Sequence, residues 1–192
     1  MKSLVPFLFL AIAGCGSAPP DEPPPPWGAT VSREVVALGS RNWVIVAESS
    51  FPVISRRGTR TVMVDGEIPE VVEYIVNLLE QSENVRPRFS VARELPFLVN
   101  DVSPGIDQYR ERLNTALHGH PVNQMDNRAL TLLAQSDADK YAVLVFKTKT
   151  ALPYSNVFIE LDSGFWDREA EAKLRSDMSS AEQHGPVYEK VD

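Results

Sequence analysis

The sequence predicts an α/β fold, a compact three-layer domain in which helices cover both faces of a mostly parallel central sheet. Three segments, 43–47, 141–146 and 157–161, are almost entirely apolar, which is typical of strands that are buried on both faces. Other segments have apolar residues every three or four positions, as amphipathic helices do. This alternation of buried strands and amphipathic helices favours a parallel sheet between two helical layers.

The first half of the predicted domain contains two helices and two strands. Ser32 is an N-cap residue for a short helix that ends at Gly39, and the apolar run 43–47 follows as a buried strand. Residues 61–64 form a second short strand, which an Asp-Gly turn closes. Apolar residues at helical spacing from 68 to 79, with a proline in the first turn, predict the next helix.

The second half repeats this alternation. A strand is predicted over 88–91, and residues 95–99 extend or follow it. Ser103 caps the next helix, which ends near Gly119. The remaining elements are a short strand over 122–125, a helix capped by Asp126 or Asn127, the buried strands 141–146 and 157–161, and a charged surface helix or loosely held tail beyond residue 165.

Composition excludes several classes of function. The 192 residues carry a net charge of -7, and such an acidic surface repels nucleic-acid phosphates, so no nucleic-acid partner is expected. A single cysteine excludes an internal disulfide and a multi-cysteine zinc site. His118 and His120 are a weak metal signal without a nearby third ligand, and the alternative is a general acid. Serine-hydrolase elbows, phosphate loops and zincin motifs do not occur in the sequence.

The first fifteen residues indicate export and lipidation. Residues 1–14 combine Lys2 with an apolar stretch, which is the pattern of a secretory signal peptide and is too short for a membrane-spanning helix. Cys15 closes the segment 12–15, which resembles a bacterial lipobox, and the alternative is an ordinary free thiol. We therefore expect a lipid-anchored protein of the bacterial cell envelope, on the periplasmic side of the outer membrane if the cell is Gram-negative.

The chain divides into four parts. The signal peptide is followed by residues 15–29, which hold the lipidated cysteine and a proline-rich tether. Consecutive prolines favour extended polyproline II, and a ligand for a proline-recognition domain is the alternative. Residues 30–165 form the α/β domain, and residues 166–192 form a helical or disordered tail.

The order and spacing of three segments resemble those of one enzyme family. The segments are Leu-Gly-Ser-Arg-Asn at 38–42 with the following strand and Glu-Ser-Ser-Phe-Pro at 48–52, then Asp-Gly at 65–66 before an amphipathic helix, then Asn-Arg at 127–128 with a helix, a buried strand and Pro-Tyr-Ser-Asn-Val at 153–157. From about residue 30 to 163, the chain resembles the D-ribose pyranase and L-fucose mutarotase family.

The resemblance implies a compact α/β fold, ring-shaped homo-oligomers and a monosaccharide site that is completed at a subunit boundary. Family members interconvert sugar anomers or ring forms without a cofactor or metal, so none is expected here. Opening a cyclic hemiacetal needs two proton transfers, one from the anomeric hydroxyl and one to the ring oxygen. A group with a pKa near neutrality performs them best.

Five positions match functional residues of the family. Ser40 stands at the position of the catalytic histidine, and Glu48 at that of a sugar-binding aspartate, so the resemblance assigns both to catalysis and Glu48 also to the sugar. Arg128, Tyr154 and Asn156 match substrate-binding positions, and their guanidinium, phenol and amide groups suit sugar hydroxyls. The alternatives are structural roles in a turn, a strand end, a helix start and a loop.

The sequence therefore predicts a monosaccharide-binding isomerase, a mutarotase or pyranase. Its catalysis is expected to be weakened, because the Ser40 hydroxyl does not titrate near neutral pH as the family histidine does. The alternative is a non-catalytic envelope lipoprotein that binds sugar or is purely structural.

Overall fold

The computed structural model describes residues 23–182. The predicted signal peptide, Cys15, the first part of the tether and the last ten residues of the tail lie outside the described residues. Within the described range, the elements are α1 Gly28–Val36, β1 Trp43–Ala47, β2 Thr59–Met63, α2 Ile68–Glu80, β3 Val85–Ala92, a 3₁₀ helix Leu95–Phe97, α3 Ile106–Ala116, β4 Val122–Met125, α4 Asn127–Asp137, β5 Val143–Lys147, β6 Val157–Ser163 and α5 Arg168–Glu182.

The strands form one six-stranded sheet with the order β2-β5-β1-β6-β3-β4. β1 and β2 both pair with β5 in parallel, and β3 pairs with β4 in parallel. β6 is antiparallel to both of its neighbours, β1 and β3. The sheet is therefore mostly parallel, as predicted, and β6 alone runs against the other strands.

Helices cover both faces of the sheet. Val44 and Val46 of β1 face a core shared with α1, α2 and α3. Trp43 and Ile45 face a second core, to which α4 contributes Leu130 and Ala134. Because successive strand residues point to opposite faces, β1 is fully buried between the two cores. This confirms the predicted α/β domain with helical layers on both sides of the sheet.

The start of α1 differs from the prediction. Ser32 does not cap the helix, which begins at Gly28, so the last two residues assigned to the tether form its first turn. The Ser32 hydroxyl instead lies 2.9 Å from the Tyr74 hydroxyl of α2. Trp27 packs edge-on against Tyr74, with ring centroids 5.3 Å apart. A Cβ at Gly28 would lie 2.9 Å from Oη of Tyr74, so a larger residue here would displace the end of the Tyr74 side chain.

The connection from β3 to α3 also differs. Residues 95–97 form a 3₁₀ helix instead of extended strand. Arg110 of α3 contacts this segment, because its guanidinium donates to the carbonyl oxygens of Leu95, Pro96 and Leu98, the shortest bond being 2.7 Å to Leu98. The predicted cap Ser103 is wrong as well, since Gly105, with a φ of 89°, precedes the first turn of α3.

α5 follows β6 as an exposed helix of 15 residues. Its ion pairs join residues one turn apart, such as Arg175 with Glu171 at 2.7 Å. None of the helices between residues 23 and 182 has the length and apolar character needed to cross a lipid bilayer.

Candidate functional site

The end of β1 meets the beginning of β6 at one edge of the sheet. The two strands are antiparallel, so Glu48, which follows β1, lies beside Asn156, which precedes β6. The backbone N–H of Glu48 donates to the side-chain oxygen of Asn156 at 2.8 Å. Asn156 is only 4% exposed, so this bond lies inside the domain.

The carboxylate of Glu48 also participates in the turn that follows β1. Its Oε2 accepts from the backbone N–H of Ser50 at 2.5 Å and from the Ser50 hydroxyl at 2.6 Å. The carbonyl of Glu48 accepts from the backbone N–H of Phe51 at 3.1 Å. The side chain is half-buried, so the carboxylate is held at the surface of this edge in one orientation.

The segment 153–156 presents a phenol at the same edge. Tyr154 adopts a left-handed backbone conformation with a φ of 57°, and the residue is 39% exposed. The buried Tyr109 of α3 donates from its hydroxyl to the carbonyl oxygen of Ser155, and burial raises the pKa of Tyr109. The phenol of Tyr109 therefore stays protonated, and its hydrogen bond holds the loop against α3.

Two buried threonines support this edge, and sequence reasoning missed them. The Thr148 hydroxyl donates to the carbonyl oxygen of Ala47 at 2.8 Å, at the end of β1. The Thr150 hydroxyl donates to Glu67 at 2.6 Å and accepts from the backbone N–H of Ile68 at 2.9 Å. A Thr-Lys-Thr run directly after a buried strand was the signal that could have identified them.

Arg128 lies at the same edge of the sheet but farther along it. It opens α4, which follows β4, and the side chain of Asp126 accepts from the backbone N–H of Arg128 at 3.1 Å as the helix cap. β4 is three positions from β1 in the sheet. With neighbouring strands about 4.8 Å apart, roughly 14 Å separates the two strands. The exposed Arg128 guanidinium is therefore on this edge without adjoining Glu48.

Ser40 lies at the opposite edge of the sheet. It precedes β1, whereas Glu48 follows β1, and five strand residues at about 3.3 Å each span roughly 16 Å. The two residues that the resemblance assigns to catalysis do not come together within one chain. The structure brings Glu48 and Asn156 into contact and places the loop that carries Tyr154 at the same edge of the sheet, with Ser40 at the opposite edge.

The histidine pair is also remote from Glu48. Nε2 of His120 lies 2.9 Å from one carboxylate oxygen of Glu80, and Nδ1 of His118 lies 3.4 Å from the other. These contacts lower the pKa of Glu80, chiefly through the hydrogen bond with His120. Residues 23–182 contain no cluster of three histidine, cysteine or acidic side chains arranged for a metal ion.

The fold and this edge place the protein in the class of α/β proteins that carry polar side chains beyond the carboxyl ends of their parallel strands. In open α/β sheets, ligands bind outside these strand ends. The glutamate carboxylate, phenol and amide supply both donors and acceptors. The arrangement is therefore suited to a small polyhydroxylated ligand.

Two of the solved structures similar to this chain are complexes with a monosaccharide. RbsD of Bacillus subtilis, complexed with D-ribose, has 13% identity and a TM-score of 0.49 over 72% of this chain and 94% of its own. Fucose mutarotase of Streptococcus pneumoniae, in complex with L-fucose, has 16% identity and a TM-score of 0.45. The match covers 68% of this chain and 89% of the mutarotase chain. FucU of Bifidobacterium longum has 16% identity and a TM-score of 0.44, and the match covers 71% of this chain and 96% of the FucU chain.

No protein-family model matches the sequence, and no curated protein matches it significantly. At these low identities and TM-scores, the similar structures do not determine a substrate or an activity for this chain.

Proposed function

We propose that this protein binds a monosaccharide at the Glu48–Asn156 edge and is a mutarotase or pyranase with weakened catalysis. One observation carries the proposal. The buried Asn156 side chain bonds the backbone of Glu48, and the exposed Tyr154 stands two residues before Asn156 in the same loop. Three of the five residues that the resemblance assigns to the site thus lie where β1 ends and β6 begins.

The chemistry at this edge favours binding over proton transfer. The Glu48 carboxylate accepts hydrogen bonds from sugar hydroxyls, and the Tyr154 phenol and the Asn156 amide add donors. Efficient ring opening also needs a group that titrates near neutrality. The two histidines between residues 23 and 182 contact Glu80 instead. Slow anomer exchange is therefore the expected activity.

A second copy of the chain is part of the proposal. Ser40 and Glu48 occupy opposite edges of the sheet, so a site that contains both needs residues from two chains. This agrees with the ring-shaped homo-oligomer and shared site that the sequence resemblance implies. The proposed envelope location and the lipid anchor at Cys15 rest on the sequence alone.

Saturation-transfer NMR with the full chain tests the proposal, with D-ribose and L-fucose as the first probes. Tyr154→Phe and Asn156→Ala are each expected to weaken binding by roughly two- to tenfold, because each removes a hydrogen bond worth about 0.5–1.5 kcal/mol. If neither these sugars nor other pentoses and hexoses bind at high millimolar concentration, the proposed function is wrong.

A non-catalytic sugar-binding lipoprotein is the second candidate. It is favoured by the hydrogen bonds that the Glu48 carboxylate accepts from the backbone N–H and the hydroxyl of Ser50, which give the carboxylate a structural role in the turn. Anomer exchange measured against a buffer blank separates the candidates. Binding with exchange equal to the blank supports the second candidate, and exchange above the blank supports the isomerase.

A further inference from the structure

A groove lies between the end of the tether and the outward face of α2. It has a volume of about 750 Å³, and prolines 23–25, Trp27 and Tyr74 form its apolar lining. On α2, the lining residues recur at helical spacing from Glu70 to Asn77, on the face opposite to the buried residues of the helix. The groove is therefore on the outside of the helical layer.

The aromatic side of the groove is fixed by contacts on two sides. The indole of Trp27 lies directly against the backbone of Gly66, where a Cβ would lie 2.9 Å from Nε1 of Trp27. The hydroxyl of Tyr74, against which the indole packs, is held at 2.9 Å by Ser32. Both aromatic residues are half-buried, so part of each ring remains accessible from the groove.

The prolines beside the aromatic rings are also held in place. The carbonyl oxygen of Pro25 accepts from the backbone N–H of Gly28, the first residue of α1, at 2.7 Å. Surfaces that are ordered before binding lose little conformational entropy when a partner docks. Aromatic-lined grooves of this kind bind proline-rich segments, which are themselves pre-ordered as polyproline II.

The charges of the groove select for a basic partner. Glu70 forms an ion pair with Arg112 at 3.0 Å, so these two charges offset each other. Glu111 lines an adjoining cavity of about 340 Å³ that shares Glu70 and Glu73 with the groove. Within residues 23–182, the carboxylates of Glu73 and Glu111 have no ion-pair or hydrogen-bond partner. An ammonium or guanidinium group is attracted both to such carboxylates and to the faces of aromatic rings.

The tether of a second copy does not complement these charges. Residues 18–26 are rich in proline, but they also carry Asp21 and Glu22. Glu73 repels both of these acids. A proline-rich occupant that fits the groove therefore carries lysine or arginine instead.

We propose that this groove docks an extended, proline-rich segment of a partner protein that carries lysine or arginine. Prolines of the segment pack on Trp27 and Tyr74, and a basic side chain lies beside Glu73. None of the described lining residues is assigned to the sugar site, so the inference does not rest on the proposed function.

Two nonapeptides, each titrated into the full-length chain, test this inference. One has the tether sequence Ala-Pro-Pro-Asp-Glu-Pro-Pro-Pro-Pro, and the other has Arg-Arg in place of Asp-Glu, so the two differ only in charge. The basic peptide is expected to bind and to shift the NMR resonance of the Trp27 indole N–H, and the acidic peptide is not. Trp27→Phe identifies this resonance among those of the three tryptophans. High salt is expected to weaken the binding, because the charges are exposed.

Glu73→Gln tests the charge of the groove at an exposed position, where the substitution leaves the core intact. It is expected to weaken binding of the basic peptide by about two- to fivefold, as the loss of one exposed ion pair does. Glu73→Lys is expected to weaken it further and to improve binding of the acidic peptide. Glu83→Gln is the matched control, because Glu83 is an exposed carboxylate that follows the same helix outside the groove.

Weaker binding in Glu73→Gln, with parent-like binding in Glu83→Gln, supports the inference. It is overturned if the basic peptide does not bind or if Glu73→Gln binds it as tightly as the parent. It is also overturned if the acidic peptide binds the parent equally well, which would identify the tether of another copy as the occupant. Failure of monosaccharide binding contradicts the proposed function and leaves this comparison unchanged.

Discussion

The backbone N–H of Glu48 and the side-chain oxygen of Asn156 are joined at 2.8 Å, although 108 residues separate them in the chain. The bond crosses from the end of β1 to the beginning of β6. This hydrogen bond stabilises the fold as well as the proposed site, because a buried amide side chain satisfies a backbone donor where the hydrogen bonding between the two strands ends.

Replacing Asn156 with alanine therefore tests stability as well as binding. Asn156→Ala is expected to lower the free energy of unfolding by about 1–3 kcal/mol, because the Glu48 N–H loses its partner. Urea unfolding measures this loss. Asn42→Ala is the matched control, since the Asn42 side chain accepts from the backbone N–H of Ala142 at 2.8 Å at the opposite edge. Equal urea midpoints for the parent and Asn156→Ala would contradict the structural role.

Tyr109 and Tyr154 form a contrasting pair. Tyr109→Phe is expected to destabilise the fold by about 1–3 kcal/mol, because the buried carbonyl of Ser155 loses its donor. Tyr154→Phe removes an exposed hydroxyl and is expected to leave stability nearly unchanged while weakening monosaccharide binding. Thermal unfolding combined with sugar titration checks both. A larger loss of stability in Tyr154→Phe than in Tyr109→Phe would reverse the assignment.

The contacts between Glu80 and two histidines predict a dependence of stability on pH. The folded pKa of Glu80 is lowered, so its carboxylate stabilises the fold fully above the ordinary glutamate pKa of 4.5, and this contribution disappears as the pH falls through the lower folded value. Glu80→Gln is expected to be less stable than the parent at neutral pH and to converge with it in acid. Denaturant unfolding across this range measures the difference.

Glu83→Gln is the control for that experiment, because Glu83 is an exposed carboxylate shortly after the same helix. Its stability difference from the parent is expected to change little with pH. A Glu80→Gln difference that stays constant down to strongly acidic pH would contradict the prediction.

Ser40→His tests whether the edge that carries Ser40 in one copy of the chain meets the edge that carries Glu48 in another copy. Introducing an imidazole that titrates near neutrality is expected to accelerate anomer exchange, for which general acid–base catalysis typically contributes ~10²–10⁴-fold. The gain is expected only where light scattering shows an oligomer, since Ser40 and Glu48 are separated within one chain. Ser40→Gln, a polar side chain that does not titrate, is the control. A gain that persists in a monomer would exclude a site shared between two copies.

Cys15→Ser tests the proposed anchor. The full-length protein is expected to sediment with washed membranes, and the variant is expected to appear in the soluble fraction, because a single serine hydroxyl carries no acyl chain. Immunoblotting of the two fractions makes the comparison. Identical partitioning of the parent and the variant would show that Cys15 is not the point of attachment.

The sequence predicted most of the elements, because their signals are local. The run 43–47 is apolar at every position, and only a strand between two covered faces buries all of it. The helix from Ile68 has apolar residues at regular spacing, a first-turn proline and a capping box. The grouping of Tyr154 with Asn156 was also local, because both belong to one short loop.

Tertiary structure decided the rest through contacts between distant segments. α1 begins at Gly28, directly after Trp27, which packs on Tyr74 of α2, and a local capping pattern at Ser32 does not reveal this contact between distant segments. Ser40 and Glu48 are eight positions apart in sequence, yet an extended strand places them at opposite edges. Asn156 meets Glu48 because β6 runs antiparallel to β1, and a buried apolar pattern does not encode strand direction.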